Sequence, residues 1–162
     1  MRTAFVIAQR EFRTFFTQPV AYIALSVFLV VTGAVFFFVA DFYEANQASM
    51  RVFFEWTPVV FIIFLPAVSM RLIAEERRSG TFEVLITMPV RDVDVVLGKL
   101  LGAVFFLVVT LGVTLLYPIT VSFLGNPDMG PIIGGYFGLL LIGTAYLAIG
   151  VMASSWTNNQ IV

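Results

Sequence analysis

Hydrophobic and polar positions are arranged in two different ways along this chain. Over residues 3–17 (TAFVIAQREFRTFFT) the period is that of a helix. Phe5, Ala8, Phe12, Phe15 and Phe16 share one face, and Arg2, Gln9, Arg10, Arg13 and Thr17 share another. Beyond that the pattern comes in blocks. Residues 20–40 hold no charged side chain over 21 positions, enough to cross ~30 Å of hydrocarbon as a helix. Three more apolar blocks follow, over residues 56–72, 100–124 and 132–153. The pattern predicts an all-α integral membrane protein. Its elements are an N-terminal amphipathic interfacial helix over 1–18, four transmembrane helices, and a charged stretch over 73–99 between the second and third spans.

The signals at the block ends agree with this division. Pro19 suits the first turn of a helix. The segment from Asp41 to Glu55 is polar but keeps Phe42, Tyr43, Phe53 and Phe54, as an amphipathic stretch at an interface would, with Tyr43 and Trp56 at the depth of an aromatic belt. The second span carries Pro58 and Pro66. Pro58 suits a first turn, whereas Pro66 removes a backbone hydrogen bond in mid-helix and predicts a kink. Asn126 to Pro131 reads as a tight turn between spans three and four. Gly98/Gly102 and Gly134/Gly138 are G-x-x-x-G pairs, which permit close helix approach in lipid.

Composition makes the membrane reading stronger. Of 162 residues 60% are hydrophobic, 12% are charged and 18 are Phe, and the mean hydropathy is +0.99. Soluble domains are about 25% charged. Nine residues are Lys or Arg, and their distribution sets the orientation. Arg2, Arg10 and Arg13 precede the first span, while Arg71, Arg77, Arg78, Arg91 and Lys99 lie between spans two and three. The loops on the opposite side hold Arg51. By the positive-inside rule the N-terminus and the 73–99 stretch are cytoplasmic, in a multi-pass protein of the inner (plasma) membrane.

Candidate chemistry is sparse. Cys and His do not occur, which removes thiolate nucleophiles, disulfides and the usual zinc ligands. Within their apolar cores the blocks contain no ionisable residue of the kind that proton relays or voltage sensors require, Arg71 standing at the end of the second. Gly98-Lys99 is followed by Leu100, and Val93 stands where a P-loop needs its first Gly. The chain therefore reads as no enzyme, without a cofactor or metal of its own.

The charged stretch has internal punctuation. Glu75, Glu76, Arg77 and Arg78 end the second helix, and Ser79-Gly80 supplies a stop. Thr81 caps a short helix with Glu83 in its first turn, Met88-Pro89 ends it, and a new helix starts at Arg91-Asp92 and runs into the third span. A short transverse helix between two reversals suits insertion into a cleft of a soluble partner. The competing reading is a solvated linker whose charges set topology alone.

The run Ile73-Ala74-Glu75-Glu76-Arg77-Arg78-Ser79-Gly80-Thr81-Phe82-Glu83, then Leu85, Pro89-Val90 and Leu97-Gly98-Lys99, resembles the corresponding loop of ABC-2-type transporter permeases. It is similar in particular to the gliding-motility-type permease subgroup. The likeness extends to Gln47–Arg51, Phe53-Phe54, Arg10-Glu11-Phe12 and Pro19–Ile23, and so spans nearly the whole chain. It implies a six-span permease that dimerises and carries two cytoplasmic ATPase subunits, engaged through a coupling helix between spans two and three, with ATP and Mg held on the ATPase. The coupling residues implied are Glu75, Glu76, Arg78, Gly80, Thr81, Phe82, Glu83, Leu85, Met88 and Pro89. The interfacial helix contributes Phe5, Arg10, Phe12, Arg13 and Phe16. Four spans are present where the family has six, and Asn158–Val162 reads as the entry to a fifth. A non-transporting scaffold or regulator that binds a partner through the same loop is the alternative. The substrate is not legible in these residues.

Overall fold

A computed structural model describes residues 2–17, 19–39, 49–79 and 92–156. Among these the ordered elements are all helical. Helix α1 covers Arg2–Thr17 and α2 covers Pro19–Ala34, the latter continued by a π-helical turn over Val35–Val39. Helix α3 runs from Arg51–Ser79, α4 from Asp92–Thr114, α5 from Leu116–Leu124 and α6 from Met129–Trp156. Four stretches are long and apolar enough to cross a membrane: Ala21–Phe38, Arg51–Ser69, Val93–Leu124 and Met129–Ala153.

The spans start earlier than the hydropathy blocks suggest. The second helix takes in Arg51 and Glu55, whose side chains form an exposed i,i+4 ion pair at 2.9 Å. Propagating one more helical turn costs little once the helix exists, and this pair faces outward. Helix α3 also stays helical through Pro58 and Pro66. The helix that carries the third span begins at Asp92, in keeping with the Arg91-Asp92 start signal, and is interrupted between α4 and α5, at Leu115.

The exposure pattern is that of a protein solvated by lipid. Phe38, Ile63, Phe123 and Ile133 are each at least 72% exposed, which water would not tolerate in a contiguous belt. The interior is also apolar, built on Phe28, Phe36, Phe53, Phe61, Leu65, Leu107, Leu139 and Leu147. The buried hydroxyls satisfy themselves locally. Thr32, Thr57 and Thr110 donate to the carbonyls of Phe28, Phe53 and Phe106, four residues back, at 2.7, 2.6 and 2.9 Å, so none is left without a partner in a dry interior.

Packing runs chiefly α3 on α6, α4 on α6 and α1 on α4. Small residues set how closely α6 approaches α3 and α4: a Cβ at Gly143 would strike Leu107 of α4 and Phe61 of α3, and one at Gly150 would strike Ser69 of α3. The Gly134/Gly138 pair behaves differently. A Cβ at either position meets nothing within 4 Å, because α6 turns Gly135 and Gly143 to its neighbours and Gly134/Gly138 away from them.

Candidate functional site

The residues expected to engage a partner fall into two groups. Glu75, Glu76 and Arg78 lie on the last turns of α3. Gly80, Thr81, Phe82, Glu83, Leu85, Met88 and Pro89 lie outside the described residues, as does the transverse helix that they were expected to form.

The geometry of α3 nonetheless bears on that region. Its 29 residues correspond to about 43 Å at 1.5 Å each, against ~30 Å of hydrocarbon. The part within the candidate span ends at Ser69. The helix then carries on through Arg71, Glu75, Glu76, Arg77 and Arg78 without a break. Charge and span are thus on one continuous helix.

The end of the bundle near α1 holds an assembly that the apolar blocks do not announce. Helix α1 is packed onto the start of α4. Phe15 stacks on Phe106 with centroids 5.0 Å apart, Phe16 lies 6.0 Å from the same ring, and Phe12 and Phe5 meet Phe105 edge-on at 6.1 and 6.4 Å. These are favourable aromatic separations. Between the rings the two backbones come close. Ala8 is wholly buried, and a Cβ at Gly102 would sit 2.7 Å from the Glu11 Cβ and 3.4 Å from the Ala8 carbonyl oxygen. Of the Gly98/Gly102 pair, Gly102 therefore receives α1 and not another span.

Beside Gly102, Lys99 Nζ lies 3.7 Å from Glu11 Oε1. The two side chains are 5% and 15% exposed. A charge this far from solvent is tolerable only with an opposite charge or hydrogen bonds about it. Of the five interfacial-helix residues singled out from sequence, Phe12 and Phe16 are half-buried against α4 and Phe5 is 56% exposed. Arg10 and Arg13 are exposed on the far side, along a shallow groove with Gln9, Thr14 and Thr17. The aromatic face of α1 is thus shared between lipid and α4, where amphipathicity alone predicts lipid.

Glu11, Lys99, Gly102, Phe105 and Phe106 were not among the expected functional residues. A signal for Glu11 was present: it is the acidic residue of α1, and 100° per residue places it beside Ala8 and Phe15 on the apolar face. An acid there needs a cation from elsewhere, and Lys99 is the basic residue at the head of α4.

A third feature is an apolar groove of about 660 Å³ between α2 and α3, lined among others by Ala24, Val27, Val31, Val60, Ile63 and Ala67. Apart from Trp56 its lining side chains are wholly apolar, so it suits hydrocarbon best.

Four membrane-crossing helices, an amphipathic helix docked on the third span and a charged helix extension define a polytopic membrane protein. The chain belongs to the ABC-2 transporter family: the family model described as ABC-2 family transporter protein matches residues 5–160. No characterised protein matches the chain, and no solved structure does.

Proposed function

We propose that this chain is the membrane-spanning subunit of an ATP-driven ABC-2 exporter. It sits in the inner membrane with a cytoplasmic N-terminus and couples to a separate ABC ATPase through residues 73–99. The single observation that carries this reading is the continuity of α3, which takes the second span out of the hydrocarbon and on to Ser79 without interruption. A helix of this kind transmits a push at its charged end as a rigid displacement of the span. On this reading Phe82, Leu85 and Met88 fill the ATPase's groove. Glu75, Glu76, Arg78 and Glu83 set its register, and Gly80, Thr81 and Pro89 shape the reversals. ATP and Mg stay on the ATPase, and a second permease copy or homologue completes a dimer. The same residues, AEERRSGTFE above all, support placing the chain near the gliding-motility subgroup.

The test is affinity capture of the full chain from its native membrane. Retention of a protein with a P-loop motif, released or tightened by ATP, is the expected result. Capture of a partner without a nucleotide-binding motif, indifferent to ATP, would favour a scaffold in place of a transporter.

A further inference from the structure

The break in the third span is unusual in how completely its backbone is accounted for. Pro58, Pro66 and Pro118 lie well inside membrane-crossing stretches, beyond the first turn where proline is harmless. At Pro58 and Pro66 the helix continues. At Pro118 it does not: α4 stops at Thr114, Leu115 is a turn, and α5 resumes at Leu116. Proline cannot donate to the carbonyl four residues back, and its ring crowds that carbonyl. Here that carbonyl belongs to Thr114. In hydrocarbon an unsatisfied carbonyl costs several kcal/mol, so something must replace the missing donor.

The replacement comes from another helix. Tyr136 of α6 donates its phenolic O–H to the Thr114 carbonyl at 2.9 Å. The rest of the break is closed locally. The Leu115 N–H turns to the Gly112 carbonyl at 3.2 Å, a tighter 3₁₀ bond, and the Thr114 hydroxyl donates to the Leu111 carbonyl at 2.7 Å. Just past the break, Tyr117 donates to the Leu29 carbonyl of α2 at 2.6 Å, with Thr32 Oγ1 3.3 Å from the same phenol oxygen. The two phenols are set in one aromatic cluster. Phe53 lies 5.5 Å from Tyr117 and 6.1 Å from Tyr136, centroid to centroid.

We propose that residues 114–118 are a hinge of the third span and that Tyr136 is its latch. The latch works because the carbonyl freed by Pro118 has no intrahelical donor, so the hydroxyl on α6 decides whether the bend is held at one angle. Tyr117 links the outer segment α5 to α2, one wall of the apolar groove, while α4 is held at its other end by α1. A change of tilt at the hinge would then move α5 and α2 relative to α4. This goes beyond the permease reading and does not depend on the identity of the ATPase.

The claim predicts a specific non-additivity. Tyr136→Phe keeps the ring and removes the donor. Pro118→Ala supplies an N–H that can bond the Thr114 carbonyl from within the helix, which makes the latch redundant. Because the chain has no cysteine, spin labels can be placed uniquely at Leu101→Cys and Phe123→Cys, both exposed and on opposite sides of the hinge. In the full chain in lipid nanodiscs, Tyr136→Phe should broaden the distance distribution at least twofold, and Pro118→Ala should narrow it. The Pro118→Ala/Tyr136→Phe variant should stay as narrow as Pro118→Ala. Hydrogen exchange of the amides of residues 112–119, read on unlabelled chains, should follow the same order. An unchanged width in Tyr136→Phe would overturn the proposal. So would a double variant as broad as Tyr136→Phe alone, since general loosening of the bundle would not vanish when Pro118 is replaced.

Discussion

Glu11 and Lys99 show how one residue pair can fix the position of a whole helix. Both side chains are largely withdrawn from solvent, so their contribution is unlike that of a surface ion pair, which is worth at most about 1 kcal/mol. Removing one member of a buried pair typically costs about 3–5 kcal/mol, because the remaining charge stays in a poor solvent. Glu11→Ala should therefore lower the thermal midpoint of the detergent-solubilised chain markedly. A combined Glu11→Leu/Lys99→Met replacement, which removes both charges, should recover most of the loss. Arg51 and Glu55 provide the control. Their pair is 84% and 56% exposed, and Glu55→Ala should leave the midpoint nearly unchanged.

At the scale of elements, Gly102 governs whether α1 docks. A side chain there runs into the Cβ of Glu11 and the backbone of Ala8, neither of which can swing aside as a side-chain tip would. Gly102→Leu should lift α1 off α4 without disturbing the four spans. Limited trypsin digestion reads this directly, with faster cleavage after Arg10 and Arg13 than in the parent and unchanged cleavage after Arg51. Element type was legible in the sequence because three of the spans are uncharged runs of 18 residues or more, which have few outcomes other than a membrane helix, and the second, uncharged from Trp56 to Met70, lies among them. Element ends were less legible. Arg51 and Glu55 read as part of an interfacial stretch ahead of the second span, yet they lie on its helix and pair with each other there. The docking of α1 was hidden for a related reason. Phe12, Phe15 and Phe16 satisfy the pattern of a lipid-facing helix and that of a protein-facing one equally, and only Glu11 among them distinguishes the two. Similarly, the Gly98/Gly102 and Gly134/Gly138 pairs are alike in sequence, but Gly102 of the first is covered by α1 and both glycines of the second are open. Helix rotation decides between them, and rotation depends on contacts far away in the chain.

For the molecule as a whole, the charge distribution predicts a definite topology. The chain lacks cysteine, so single cysteines report cleanly. In intact cells a membrane-impermeant maleimide should label Asp128→Cys, and should label Thr3→Cys or Thr81→Cys only after the membrane is opened. The reverse pattern would place the 73–99 stretch outside and remove the basis for ATPase coupling. Family membership over residues 5–160 and the continuity of α3 both bear on that coupling, which is the central claim. The most direct measurement is the ATPase rate of the captured complex with and without Phe82→Ala and Glu83→Ala. The account predicts that the variants still reach the membrane while the rate falls to that of the isolated ATPase subunit. A rate unchanged from the parent complex would contradict it.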